Sequence, residues 1–252
     1  MMRKYLLAVV ATVILGAGAV AAPVPAYITA AVNDAARPAT DTQRDADRKP
    51  AEMLVFAGVK PGMRVMDLVP GGGYFTRLFA KAVGPNGYVY AFQATELDHF
   101  FKGKQPPVYA VAAQYPNVSV LHAPVNTLIA PESLDVVWTS QNYHDLKDSL
   151  FAPADTALVN KAIYKTLKPG GLYIVLDHAA AKGSGVRDTD TLHRIDEAVV
   201  KKEVLAAGFV LAGESKALRN KADPLTAKVF DASIRGHTDQ FVLKFRKPAG
   251  HK

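Results

Sequence analysis

No cysteine occurs anywhere in the chain. Disulfides, thiolate metal centres, a cysteine nucleophile and a lipid-modified cysteine anchor are therefore excluded, and the thiol-free composition suits an oxidising compartment. Long apolar runs are equally scarce. Beyond the amino-terminal stretch, no segment approaches the ~20 apolar residues that a membrane-spanning helix needs. Strong charge patterning is missing too. Thirty basic residues face 23 acidic ones for a net charge of +7, but they are scattered, and the pair Lys201-Lys202 runs straight into Glu203. Without an arginine-rich arm interleaved with aromatics, the sequence predicts a solvated basic surface and no nucleic-acid partner. Internal repeats and low-complexity blocks are absent as well.

What is present begins with a leader pattern. Met1-Met2-Arg3-Lys4 is followed by an uncharged run from Tyr5 to Val20, with small residues at Ala19, Ala21 and Ala22. A basic start, a short apolar stretch and an Ala-x-Ala site predict a secretory signal peptide over residues 1–21, cut after Ala21. The alternative, an uncleaved anchor helix, is disfavoured because the run is shorter than the ~20 residues that a spanning helix needs. The expectation is an exported protein, periplasmic or secreted, with no stable membrane insertion after cleavage. Residues 22–40 carry Pro23, Pro25 and Pro38 among many alanines and read as a linker or N-terminal arm. Residues 41–252 then form one domain, with hydrophobic and charged fractions of 49% and 21% that are ordinary for a folded protein.

Within that domain strands alternate with helices. Asp41 is placed to cap a first helix, and Pro50 opens a second that Gly58 stops. Short apolar strands are expected over residues 64–69, 88–92, 118–121, 134–139 and 172–176. Helices are expected over residues 74–83, 156–167 and 191–207, and a last strand pair over residues 209–211 and 240–245. Such alternation predicts an α/β fold with a mostly parallel sheet covered on both faces, edged by an antiparallel strand. Trp138 lies inside an apolar strand and reads as core.

The most informative stretch is Val65-Met66-Asp67-Leu68-Val69-Pro70-Gly71-Gly72-Gly73-Tyr74-Phe75. A strand carries an acid near its end, a glycine loop follows, and a helix begins. Glycines let the backbone approach a ligand, and the new helix offers free N–H groups. No lysine follows the glycines, so this is not a phosphate loop, and the spacing is not that of a nicotinamide site. Asp67 to Gly73 resembles the first motif of class I S-adenosylmethionine-dependent methyltransferases. Leu134-Asp135-Val136-Val137-Trp138 resembles that family's fourth strand, Leu167-Lys168-Pro169-Gly170-Gly171 the approach to its fifth, and Ala206-Ala207-Gly208-Phe209 a later helix-to-strand turn. The four occur in family order across residues 45–246.

The resemblance implies a Rossmann-like seven-stranded sheet of order 3-2-1-4-5-7-6, with helices on both faces and S-adenosylmethionine over the carboxyl ends of the first two strands. Asp67 would face the methionine ammonium, and Gly71, Gly72 and Gly73 would line the cofactor. Three positions depart from the family pattern. Val69, followed by Pro70, stands where the first loop glycine is usual. Gln93 stands where an acid grips the ribose, with Glu96 near enough to substitute. Pro124, beside His122 and Asn126, stands where an acid approaches the adenine.

In the same resemblance the loop Thr139 to Asp145 faces the reacting methyl group. His144 is the candidate general base, Tyr143 would wall the pocket or offer its ring face to a sulfonium, and Asn142 would hold a carbonyl. His178 at the end of the fifth strand, with His193 and Arg194 on a later helix, form the candidate substrate-binding set. Arg194 would hold a carboxylate or phosphate. His193 and Asp196 would share a helix face. These histidines could also gather a metal, but their spacing is not that of a metal motif, and none is expected. The run Arg44-Asp45-Ala46-Asp47-Arg48-Lys49 is either a solvated helix with internal ion pairs or a lid over the glycine loop. The reading is methyl transfer to a small-molecule acceptor. The alternative is an exported, non-catalytic small-ligand-binding protein that keeps the same fold; a metal-dependent enzyme built on the histidines is the third possibility.

Overall fold

The computed structural model describes residues 23–131, 133–151 and 154–250. The expected signal peptide and its cleavage site lie outside the described residues. Four helices precede the sheet: α1 (Ala26–Val32), α2 (Ala39–Thr42), α3 (Asp45–Arg48) and α4 (Pro50–Ala57). The amino-terminal arm is docked, because α1 buries Ile28 and Ala31 in the core shared with the helix that follows the glycine loop. Asp41 does not cap a helix; it sits inside α2, where its carboxylate accepts from Arg77 at 2.9 Å. Pro50 does open α4, and Gly58, in a left-handed conformation, ends it.

The alternation then runs β1 (Arg64–Leu68), α5 (Tyr74–Val83), β2 (Tyr88–Ala94), α6 (Val108–Gln114), β3 (Val118–Ala123), β4 (Leu134–Ser140), α7 (Thr156–Thr166), β5 (Leu167–His178), α8 (Thr189–Leu192), α9 (Glu197–Ala206), β6 (Val210–Ser215) and β7 (Gln240–Arg246). The sheet has seven strands in the order β3-β2-β1-β4-β5-β7-β6. Its first five strands pair in parallel, and β7 inserts antiparallel between β5 and β6. This is the expected architecture, with the carboxyl ends of the parallel strands on one rim, where ligands bind in open α/β sheets.

Side-chain alternation splits the core in two. Val65, Val136, Trp138, Ile174 and Val242 face α1, α4 and α5. Met66, Val137, Tyr173, Val175 and Leu243 face α7 and α9. Both faces are apolar, so the central strands read as continuous hydrophobic runs. Trp138 is fully buried, as expected. Asp67 follows Val65 by two, so it points to the α5 side, where Thr76 donates to it at 2.6 Å.

One expected helix is broken. The stretch anticipated over residues 191–207 divides into α8 and α9, with His193 at φ 55° between them. The intervening segment bonds to the end of β5 instead: Ile195 N–H donates to His178 O at 3.1 Å, and Ala180 N–H to Ile195 O at 3.0 Å. Asp196 then caps α9 by accepting from Ala198 N–H at 3.0 Å and also accepts from Gly183 N–H at 2.7 Å. His193 and Asp196 consequently share no helix face.

The same break turns Arg194 inward. Its guanidinium is fully buried, donates to Asp223 at 2.8 and 3.1 Å, and donates to the carbonyls of Ala179 and Ala227 at 3.0 Å each. Asp223 in turn accepts from the N–H of Leu225 and of Asp239. This pair fastens the irregular 216–239 insertion onto the sheet, and Arg194, fully buried and paired with Asp223, is not presented to a substrate anion. Removing one partner of such a buried pair leaves the other charge uncompensated. Arg194→Met should lower unfolding stability by about 3–5 kcal/mol, read from urea denaturation; a loss under 1 kcal/mol would show that the pair does not anchor the insertion.

Candidate active site

The end of β1 and its loop build the first half of the site. Val69, immediately after β1, adopts φ 58°. A β-branched residue in the left-handed region is a strained outlier, and here it takes the backbone shape a glycine would supply. Its N–H donates to Phe92 O at 2.9 Å, and Asn142 donates to its carbonyl at 3.0 Å, which fixes the strained geometry from both sides. Gly73, at φ 79°, starts α5 where a Cβ would meet Val111 Cγ2 at 2.6 Å. It serves close packing rather than the cavity. Gly71 and Gly72 instead have open space where a side chain would be.

Above them lies a cavity of about 230 Å³, lined among others by Asp67, Gly71, Gly72, Arg44, Arg48 and Asn142. Val69 and Pro70 form part of its wall and leave it open. A larger groove of about 550 Å³ runs between Leu128 and Lys165, but it includes Ser133, at the amino end of β4, the wrong end of the strand for a ligand in this architecture.

The run 44–49 covers the glycine loop. Arg48 lies over the rings of Tyr74 and Phe75, at 4.6 and 5.3 Å from their centroids, and donates to Gln141 Oε1 at 2.7 Å. Burial and the neighbouring Arg44 charge bring its pKa down to about 10. Asp67 shows the opposite strain: burial pushes its carboxyl up to about 7, against the hydrogen bond from Thr76 and the charge of Arg48. Gln141 continues a hydrogen-bond chain away from Arg48. Its Nε2 donates to Gln240 Oε1 at 3.1 Å, Gln240 Nε2 donates to Thr238 Oγ1 at 3.2 Å, and Thr238 Oγ1 stands 2.7 Å from His178 Nδ1.

Gln93 does not join this cavity. It is buried in the sheet, its Nε2 donates to Ala94 O at 3.2 Å, and its Oε1 has no partner. Glu96 does not replace it, because both of its carboxylate oxygens accept from Val125 N–H. Tyr143 does not wall a pocket either. It is fully buried, its hydroxyl donates to Glu203 at 2.8 Å, and it accepts from Asn160 at 2.8 Å. Burial and the charges around it hold the phenol well above its ordinary range. The backbone carries it toward α7 and α9, so its neighbours Asn142 and His144 face the strand ends and it does not.

The second half of the site gathers around His144. Its N–H donates to Asp177 Oδ2 at 2.8 Å, its Nδ1 lies 2.7 Å from Asp177 Oδ1, and its Nε2 lies 2.9 Å from Asp145 Oδ1. Burial alone would depress its pKa, but Asp177 and Asp145 override this and push it up to about 10. A ring with both nitrogens facing carboxylates is a poor general base, so the structure does not give His144 that role. Asp145 also meets His193 Nδ1 at 3.6 Å and is held down to about 2 by the two histidines despite its burial. His178 stands 5.9 Å from His144, ring to ring. Burial, then His144, Arg194 and Arg48, keep it neutral, with its pKa well below the usual value.

The loops thus bring together Asp67, Gly71, Gly72 and Asn142 in one cavity, and His144, His178 and His193 in a cluster beside it. They leave Tyr143, Gln93 and Arg194 in structural roles. Arg44, Asp145 and Asp177 were not among the expected site residues. The signals that would have found them were the four-residue spacing of Arg44 and Arg48 and the acid at a strand end beside His178.

No protein-family model matches the chain. The ubiquinone/menaquinone biosynthesis C-methyltransferase UbiE of Ectopseudomonas mendocina (strain ymp) is 28% identical over 196 residues, 76% of this chain and 65% of that protein. The protein of the same name from Pasteurella multocida (strain Pm70) is 28% identical over 75% of this chain and 61% of its own length. The chain therefore matches a little under two thirds of these relatives. Among solved structures, a SAM-dependent methyltransferase from Aquifex aeolicus superposes with a TM-score of 0.55 at 18% identity, covering 82% of this chain and 94% of that one. The [4+2]-cyclase SpnF superposes at 0.58 and 18% identity, covering 82% and 83%. The strand order and these superpositions show the fold of class I S-adenosylmethionine-dependent methyltransferases, and the sequence likeness is to the UbiE C-methyltransferases.

Proposed function

We propose that the protein transfers a methyl group from S-adenosylmethionine to a small-molecule acceptor. The observation that carries this reading is the buried Asp67 carboxylate at the floor of a cavity that opens over two side-chain-free glycines. The methionine end of the cofactor carries one ammonium and one carboxylate, and the cavity offers a partner for each. Asp67 would accept from the ammonium. Arg44 and Arg48, which repel each other across the mouth, would gain a shared anion in the carboxylate. The faces of Tyr74 and Phe75, which hold a guanidinium here, suit a cation. When bound, the cofactor supplies an electrophilic methyl carbon on a sulfonium sulfur.

The volume of about 230 Å³ falls below the ~300–1,000 Å³ of typical ligand sites. Arg48, which lies over the Tyr74 and Phe75 rings, narrows the cavity, so this reading includes adjustment of the α2–α3 arm on binding. On the acceptor side Asn142 orients the loop through Val69 O, and the neutral His178 ring, bonded at Nδ1, leaves Nε2 for an acceptor atom. Catalysis of this kind is mostly alignment of acceptor and methyl carbon, with a base needed only when the acceptor must lose a proton.

Calorimetric titration with S-adenosylmethionine should show saturable micromolar binding, weakened about 10–100-fold in Asp67→Asn by loss of a charged hydrogen bond. Absence of binding at millimolar cofactor would remove the proposal. Affinity should also follow pH. Asp67 must be ionised to accept from an ammonium, and its pKa in the free protein is about 7. The dissociation constant should therefore rise as pH falls below 7, by up to about tenfold per unit, and level off above it. The same raised pKa means that burying the ionised carboxylate costs the ligand-free protein stability, increasingly so from about pH 4 to pH 7. Asp67→Asn should accordingly raise the thermal midpoint of the free protein at pH 8 while it weakens binding.

The leader pattern supports export as part of the proposal. When the full chain is expressed in a Gram-negative host, protein recovered from the periplasm should begin at Ala22 on amino-terminal sequencing. A chain retained in the cytoplasm and still beginning at Met1 would overturn it.

A further inference from the structure

Three carboxylates converge at the carboxyl ends of β4 and β5: Asp145, Asp148 and Asp177. Among the described residues, no lysine or arginine side chain pairs with any of them. Asp177 is fully buried and spends both oxygens on His144 and on His178 N–H. Asp145 faces His144 Nε2 at 2.9 Å and His193 Nδ1 at 3.6 Å. Asp148 is 6% exposed; one oxygen accepts from Leu150 N–H, and the other is buried without a partner. The charges of Asp145, His144 and His193 act on its carboxyl, so it lies near the cluster. Carboxylates gathered around imidazoles favour a shared cation, whether a proton or a metal ion.

The ring nitrogens and the carboxylate oxygen already stand as ligands of one ion stand. One atom each from His144, Asp145 and His193 lie within 4.8 Å of one another. Ligand atoms about 2.1 Å from a shared ion are about 3.0–3.5 Å apart, whether the geometry is octahedral or tetrahedral. The spacings of 2.9 and 3.6 Å to Asp145 Oδ1 bracket that range. The contact of His144 Nδ1 with the buried Asp177 carboxylate is the outer-shell partner that metal-binding histidines almost always have, fixing the tautomer that leaves Nε2 free for a metal. His193 is held in its left-handed position at the end of α8, with the Phe230 ring 4.9 Å away on its other side.

We propose that His144 Nε2, the Asp145 carboxylate and His193 Nδ1 bind one divalent transition-metal ion. Two imidazoles and one carboxylate, with no thiolate, suit zinc and its neighbours rather than calcium or magnesium. A metal on the histidines was the third possibility read from the sequence; of that set the structure joins His144 and His193, adds Asp145, and sends Asp196 to cap α9 instead. The proposal is independent of cofactor binding and is tested without cofactor.

The test uses protein carrying no polyhistidine tag, purified without chelator, with metal content measured by mass spectrometry and Zn²⁺ binding by calorimetry. The expected result is about one equivalent bound, with affinity reduced at least 10-fold in His193→Gln and in Asp145→Asn, and unchanged in the exposed control His237→Gln. Circular dichroism of each variant must match the unaltered protein; His193 stands at the rim of the cluster, so its replacement leaves the Asp177–His144 contact in place. Zn²⁺ binding below 0.1 equivalent, or binding that survives both substitutions, would mean that a shared proton alone holds the cluster, and would overturn the proposal. Neither result bears on whether S-adenosylmethionine binds at Asp67.

Discussion

The carboxylate of Asp177 ties the two halves of the active rim together. It ends β5 with no exposure to solvent and accepts three hydrogen bonds, two from His144 and one from His178 N–H. A buried charge cannot be left unsatisfied, so the loop after β4 has one way to pass over the sheet. That path sends Tyr143 down into the core on α7 and α9, turns Asn142 toward the glycine loop, and raises Asp145 toward His193. The geometry of the rim therefore follows from where one carboxylate finds its donors.

A second constraint lies at β1. Asp67 is buried and Arg48 half-buried, and both are displaced from their ordinary ionisation in opposite directions. They do not form a hydrogen-bonded pair; Thr76 serves one and Gln141 the other. Such an arrangement is less stable than a paired or apolar one, and it persists where a ligand completes it. The strained Val69 in the adjoining loop adds a further local cost beside the same candidate site.

Much of the architecture was legible in the sequence because it rests on periodicity and punctuation. Strand runs such as 134–139, the Gly58 stop and the glycine loop are local signals, and their order carries the topology. The site was legible only where it follows the chain closely, as with Asp67, Gly71 and Gly72. Tyr143 and His144 are neighbours in sequence and opposite in role, and only the course of the backbone separates them. Arg194 presented a free cation to the eye, yet its partner Asp223 lies 29 residues further along. The helix anticipated over residues 191–207 failed because residues 193–196 found backbone partners at the end of β5, and propensity within the segment has no means of reporting that. Gln93 was aligned correctly to its strand position, but an amide held by the next carbonyl does not turn outward as a carboxylate in water would.

The chain of side chains from Arg48 through Gln141, Gln240 and Thr238 to His178 has a consequence of its own. Each amide in it donates onward and accepts from behind, so the dipoles are in series with a single sense. Neither glutamine can reverse alone without setting donor against donor. If Arg48 leaves its place, Gln141 loses the group that orients it, and the polarity of the whole row becomes free to invert. The imidazole at the far end then meets a hydroxyl facing the other way, and its tautomer changes with it. The row thus gives the glycine-lined cavity and the His178 imidazole a continuous polar connection made of amide and hydroxyl groups.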